Sequence, residues 1–240
     1  GRGYTLRKHT FLKSTIKTMK LNNIKKITNI LCLLFLLHAS IKAQPFISDI
    51  AAFKKQDSIS FPPKNAILFV GSSSFTKWKD VQNYFPGYTI INRGFGGSVL
   101  NDVMRYRKDI IFPYQPKQIV IYCGENDIAS SDTVSAEIVL DRFKKLFTDI
   151  RRELPNAAVT FISFKPSPLR WRMRDRMIAS NKLIKKYLKK KKNTSFISIW
   201  NSMLDANGQP IADIFLGDRL HMNAKGYAIW QKAIEPYLQK

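Results

Sequence analysis

Histidine and cysteine are scarce in this chain of 240 residues, which has three of the first and two of the second. His9, His38 and Cys32 fall in a basic, apolar leader, so only Cys123 and His221 remain beyond it. A single cysteine forms no internal disulfide, and one histidine with one cysteine makes no His/Cys metal site. Acidic residues are few as well, 17 against 40 Lys and Arg, giving a formal net charge of +23. The sequence also lacks an apolar run of the roughly 18 residues that a membrane-spanning helix needs, an internal repeat and a low-complexity linker. With 45% hydrophobic and 24% charged residues, the composition is that of one globular domain behind a leader.

Met19 is the first methionine. Lys20, Lys25 and Lys26 precede an apolar run over residues 30–37, and small residues follow at Ala39, Ser40 and Ala43. This order predicts a secretory signal peptide over 19–43, cleaved after Ala43, and export to the periplasm or the cell exterior with no stable membrane span left. A retained anchor is the alternative. No small residue precedes Cys32, which argues against a lipoprotein. Residues 1–18 read as an upstream extension. Residues 1–43 hold nine cations and no carboxylate, so the rest carries 40 − 9 = 31 positive and 17 negative groups, or +14. Much of that excess sits at Lys182, Lys185, Lys186 and 189–192, near the end of a predicted helix, where cations suit the dipole and a solvated face. A patch for acidic polysaccharide or nucleic acid is the sharper reading. No aromatic residue interleaves with 189–192, however, and no nucleic-acid partner is expected.

Residues 44–65 predict an amphipathic arm (Ile47, Ile50, Phe53) closed by Pro62-Pro63, ahead of a domain over 66–240. Apolar runs of strand length lie at 66–70, 88–91, 118–123, 158–164 and 196–200. Helical periods separate them. Leu140, Phe143, Phe147, Ile150 and Leu154 share one face, with Ser131 and Asp132 as candidate caps. Met173, Met177, Ile184 and Leu188 define a second helix, and 224–238 a third whose last turn Pro236 limits. Strands alternating with such helices predict an α/β fold of about five parallel strands covered on both faces.

In an open parallel sheet, ligands sit outside the carboxyl ends of the strands. Gly71-Ser72-Ser73-Ser74, Asn92-Arg93-Gly94-Phe95-Gly96-Gly97-Ser98 and Gly124-Glu125-Asn126-Asp127 follow the first three predicted strands, and Asp218-Arg219-Leu220-His221 precedes the last helix. Singly, the glycine and serine clusters suit ordinary turns, and Asp-x-x-His suits a surface pair. Their joint order points to nucleophilic chemistry. A serine hydroxyl becomes nucleophilic when a base takes its proton, which His221 oriented by Asp218 would do. The backbone N–H groups of Ser73 and of a loop glycine, with the amide of Asn126, would then hold the oxyanion of a tetrahedral intermediate.

These four blocks resemble those of the SGNH, or GDSL-type, hydrolases, and are most similar to the branch of platelet-activating-factor acetylhydrolases. The likeness runs from about residue 46 to 238. It implies a flavodoxin-like three-layer α/β/α fold, with Ser73 as nucleophile, Ser73, Gly97 and Asn126 as oxyanion donors, and Asp218 and His221 completing a triad. Ser72 stands where the family usually has an acidic residue, a departure expected to bear on local stability.

The resulting expectation is an exported serine esterase that removes short acyl groups, acetyl above all, from small or polymeric esters such as carbohydrates, without metal or organic cofactor. A lysophospholipase or thioesterase on the same residues is the alternative, and a non-catalytic carbohydrate-binding protein is the rival of another class. The loop Lys165-Pro166-Ser167-Pro168-Leu169-Arg170-Trp171 follows the fourth strand. Arg170 and Trp171 are its candidate substrate contacts, against the reading that Trp171 packs into the core.

Overall fold

The three central strands present alternate residues to two different helical layers and are buried throughout, which explains why they read as nearly continuous apolar runs. In the computed structural model, which describes residues 45–240, the strands are β1 (Ile67–Gly71), β2 (Ile90–Gly94), β3 (Gln118–Tyr122), β4 (Ala158–Ile162) and β5 (Thr194–Ile197). All pair in parallel, in the order β2-β1-β3-β4-β5. The segments predicted as an upstream extension and a signal peptide, with Cys32, lie outside the described residues. Among those described, no helix is long and apolar enough to cross a membrane.

One layer holds α1 (Ile47–Ile59), α4 (Leu100–Ile110), α6 (Ala136–Glu153) and α7 (Arg174–Leu188). Its core joins Leu68, Val70, Ile119, Ile121 and Phe161 to Val103, Phe143 and Ile184. The opposite layer is dominated by aromatics: Phe69 and Tyr122 of the sheet pack with Phe75, Trp78, Tyr227 and Trp230. Phe75 lies in the short α2 (Ser73–Thr76) and Trp78 just after it, ahead of α3 (Val81–Tyr84), and Tyr227 and Trp230 come from α8 (Ala224–Ile234). Trp78 and Trp230 are fully buried, and Trp78 stacks on Tyr227 with centroids 4.7 Å apart. The architecture is a three-layer α/β/α sandwich.

The arm is largely α1. Ile50 enters the core, Phe46 meets Phe95 edge-on at 5.1 Å, and Asp57 pairs with the buried Arg93 and accepts from the Tyr114 hydroxyl. Boundaries depart from expectation where local chemistry competes. The cap of α6 is Ser135, whose hydroxyl accepts from Ile138 N, because Ser131 and Thr133 instead bond each other in the preceding turn. The final helix stops at Ile234, and Pro236 continues as a 3₁₀ turn over Glu235–Tyr237, since it has no N–H for an α-helical bond. The strand predicted at 196–200 lies earlier, because Ile199 N turns to Ser163 Oγ and leaves the ladder.

Candidate functional site

The switch point of the strand order falls between β1 and β3, and a crevice there requires both strands to turn sharply at their ends. Gly71 closes β1 at φ +151°, and a Cβ there would stand 2.0 Å from Tyr122 O, so only glycine permits the close approach. Ser72 N then bonds Tyr122 O, and Ser73 opens α2, half-buried at the carboxyl edge of the sheet. Asn92 pins this turn to β2: its amide donates to Phe75 O and its Oδ1 accepts from Gly94 N. A Cβ on Gly96 would come only to 3.9 Å from Ser73 Cβ, which places the glycine loop beside the serine.

His221 reaches Ser73 from the other end of the chain. Its Nε2 lies 2.9 Å from Ser73 Oγ and its Nδ1 lies 2.6 Å from Asp218 Oδ2. The Asp-x-x-His turn is self-organised: Asp218 Oδ1 accepts from Leu220 N and His221 N, while Arg219 adopts φ +59°. Leu216 N donates to His221 O across the turn. Burial pushes the Asp218 carboxyl up, but the ring and the two N–H donors outweigh it and hold it well below the usual carboxylate range. Asp218 therefore stays ionised, oriented to fix the ring and to stabilise an imidazolium.

Asn126 joins this pair from α5 (Glu125–Ser130), after β3. Its Nδ2 donates to Ser98 O at 3.0 Å and to Ser72 Oγ at 2.7 Å. Ser72 thus acts as an acceptor for the Asn126 amide. Gly97 is exposed at φ +85°, and the N–H groups of Ser73 and Gly97 donate to no protein acceptor among the described residues. Two backbone N–H groups are thus free beside the serine, and the Asn126 amide, whose two hydrogens go to Ser98 O and Ser72 Oγ, lines the same recess.

Arg170 and Trp171 part company. Arg170 turns inward, its guanidinium donating to Asn126 Oδ1 at 2.6 Å and Glu125 Oε2 at 3.3 Å. Trp171 turns to the rim and stacks on Trp200, outside both hydrophobic cores. Of the residues singled out from the sequence, Ser73, Gly97, Asn126, Asp218, His221 and Arg170 gather at one edge, while Trp171 lies one step along it.

A buried charge cluster beneath the serine went unassigned in the sequence. Lys165 Nζ bonds Glu125 Oε2 at 2.9 Å, Tyr122 Oη at 3.2 Å and Ser74 Oγ at 3.4 Å, and Tyr122 Oη donates to Glu125 Oε1. Burial alone would raise the Glu125 carboxyl, yet Lys165 and Arg170 bring it below its ordinary value. Burial lowers the Lys165 ammonium, and Glu125 opposes that shift, so the pair is read as ionised. The available signal was Glu125 within its block and a lysine directly after an apolar strand. The last residue of that block, Asp127, is structural: its carboxylate accepts from Leu100 N and Arg142.

Among the described residues no group of three His, Cys, Asp or Glu side chains could hold a metal ion. The arrangement is suited to acyl transfer: a hydroxyl, a base oriented by a carboxylate, and convergent donors.

The search of curated proteins returned no significant match. Among solved structures, the chain is similar to a Streptococcus pneumonia protein assigned as a platelet activating factor, with TM-score 0.71 and 20% identity over 88% of this chain and 99% of that one. It is also similar to a GDSL-like lipase of Bacteroides thetaiotaomicron, with TM-score 0.65 and 19% identity over 78% and 96%. A variant of an acetyl xylan esterase from Geobacillus stearothermophilus gives TM-score 0.57 and 15% identity over 73% and 95%. At such identities these likenesses establish the fold. The profile of the GDSL-like Lipase/Acylhydrolase family matches residues 57–229, most of the chain, and the protein belongs to that family of ester hydrolases.

Proposed function

We propose that the protein is a serine esterase that removes short acyl groups, chiefly acetyl, with Ser73 as nucleophile, His221 as general base and Asp218 as the group that orients it. One observation carries the reading: His221 bridges Ser73 Oγ and Asp218 Oδ2 at 2.9 and 2.6 Å. Ser73 Oγ attacks the ester carbonyl while its proton passes to His221 Nε2. The oxyanion is held by the N–H groups of Ser73 and Gly97 and by Asn126 Nδ2, whose hydrogen is then shared with Ser72 Oγ. The carbon–oxygen bond to the alcohol breaks, and His221 returns its proton to the departing oxygen. Water attacks the acyl-enzyme by the same route, the Oγ–carbon bond breaks, and the carboxylic acid leaves.

The recess behind the serine, lined by Ser73, Asn126, Arg170 and Leu220 among others, offers only about 10 Å³, a water's worth of space, and gives a long acyl chain no room there. A carbohydrate acceptor is supported by the aromatic pair beside the site, and the leader over 19–43 supports action outside the cytoplasm. These features favour an acetylesterase over a lysophospholipase, whose acyl chain would need a long apolar slot.

Ser73→Ala is the direct test. It is expected to abolish hydrolysis of aryl acetates and labelling by a serine-reactive phosphonate, with the circular dichroism spectrum unchanged. Retained labelling in folded Ser73→Ala, with loss in Ser74→Ala, would reassign the nucleophile.

A further inference from the structure

One step beyond Arg170, the edge of the sheet carries a groove that the esterase chemistry does not use. Trp200, just after β5, stacks on Trp171 with ring centroids 6.1 Å apart and planes 21° from parallel. Arg174 lies over the Trp171 ring at 5.3 Å. Trp200 then opens a groove of about 360 Å³ between β5 and α7, lined by Ile178, Lys182, Lys185, Phe196 and Ser198 among others. That size falls within the range of small-molecule sites. Lys185 Nζ stands 6.0 Å from the Phe196 centroid.

The charge of this groove is one-sided. No Asp or Glu lines it, and the sequence contains none between Asp175 and Asp205. Neither Lys182 nor Lys185 forms an ion pair among the described residues. Aromatic faces suit the C–H faces of sugar rings, and a neutral glycan would need nothing more. Two unpaired ammonium groups beside those faces suit a ring that carries a carboxylate. The groove connects to the site through a chain of contacts: Trp200 stacks on Trp171, which follows Arg170, and Arg170 bonds Asn126.

We propose that this groove is a subsite for the chain of an acetylated anionic polysaccharide, its uronate-type rings seated against Trp200 with their carboxylates on Lys182 and Lys185. This rests on the esterase reading above and adds the substrate class to it.

The experiment compares three substrates on the full chain: acetylated polygalacturonate, the same polymer with its carboxylates reduced to alcohols, and a small aryl acetate. For the unaltered protein, kcat/KM on the acidic polymer is expected to exceed that on the reduced polymer at least tenfold and to fall with added salt. Lys182→Gln/Lys185→Gln, a change confined to exposed side chains, should remove that preference through KM while aryl acetate turnover stays unchanged. Equal rates on the two polymers, or a double variant that keeps the preference, would overturn the subsite. Binding of non-acetylated oligogalacturonate to Ser73→Ala, followed by calorimetry, reads the groove without catalysis; binding that survives the double variant likewise overturns it. Failure of the esterase reading would look different, as loss of aryl acetate turnover in the unaltered protein while oligogalacturonate still binds.

Discussion

Arg170 donates to Asn126 Oδ1 across 2.6 Å, and this bond decides which way the Asn126 amide faces. A guanidinium is a donor only, so the oxygen must point to it, and Nδ2 is left toward Ser72 and Ser98. Arg170 is thereby a positioning residue for the proposed oxyanion donor, and its bond to Glu125 fixes it in turn.

Arg170→Met should release the amide and lower kcat on a small aryl acetate by about 10- to 100-fold, with KM nearly unchanged, since removal of an oxyanion donor costs on the order of 10² to 10³. Arg170→Lys should recover part of that rate. Steady-state kinetics on folded variants decide it, and an unaltered kcat for Arg170→Met would refute the positioning role.

The pH profile follows from Asp218. Its carboxyl is held below the ordinary carboxylate range, so it remains ionised through the working range and adds no limb of its own. With neutral imidazole as the reactive form, kcat/KM should rise with pH through a single ionisation. Asp218→Asn should lower kcat by about 10⁴ through loss of the correct tautomer. A second acidic limb in the unaltered protein, or loss of activity in EDTA restored by zinc, would contradict this assignment.

Glu125 links the buried cluster to stability. Its folded pKa is depressed, so its contribution is present above the unfolded value of about 4.3 and is lost as pH falls through the folded value. Glu125→Gln strands Lys165 without its buried counter-charge, at a cost of about 3–5 kcal/mol near neutrality. Melting temperatures of the two proteins should differ most at pH 7 and converge as pH falls through the depressed Glu125 value. A constant difference across that range would show that the ionised pair is not its source.

Tyr227 ties the last helix to the nucleophile turn, its hydroxyl donating to Ser74 O at 2.8 Å. Tyr227→Phe keeps the stack on Trp78 and removes that bond alone, leaving a buried carbonyl unpaired. Chemical denaturation should register about 1–3 kcal/mol of destabilisation. A kcat loss larger than any KM change would follow, because α8 begins directly after the His221 turn.

The sheet and the main blocks were legible because their causes are local. Strand runs buried on both faces are apolar throughout, and Asp-x-x-His organises itself through bonds across three residues. Periodicity, turn chemistry and spacing are all written in consecutive residues. What the tertiary structure alone decided comes from residues far apart in the chain. Ser73 and His221 meet across 148 positions, Lys165 finds Glu125 beneath the serine, and Arg170 turns inward while its neighbour Trp171 turns outward to Trp200. Sequence pattern located the loop holding those two residues, but a side chain's direction depends on which partner waits on each side. Here a buried carboxylate drew the guanidinium in, and a second indole held the first at the rim.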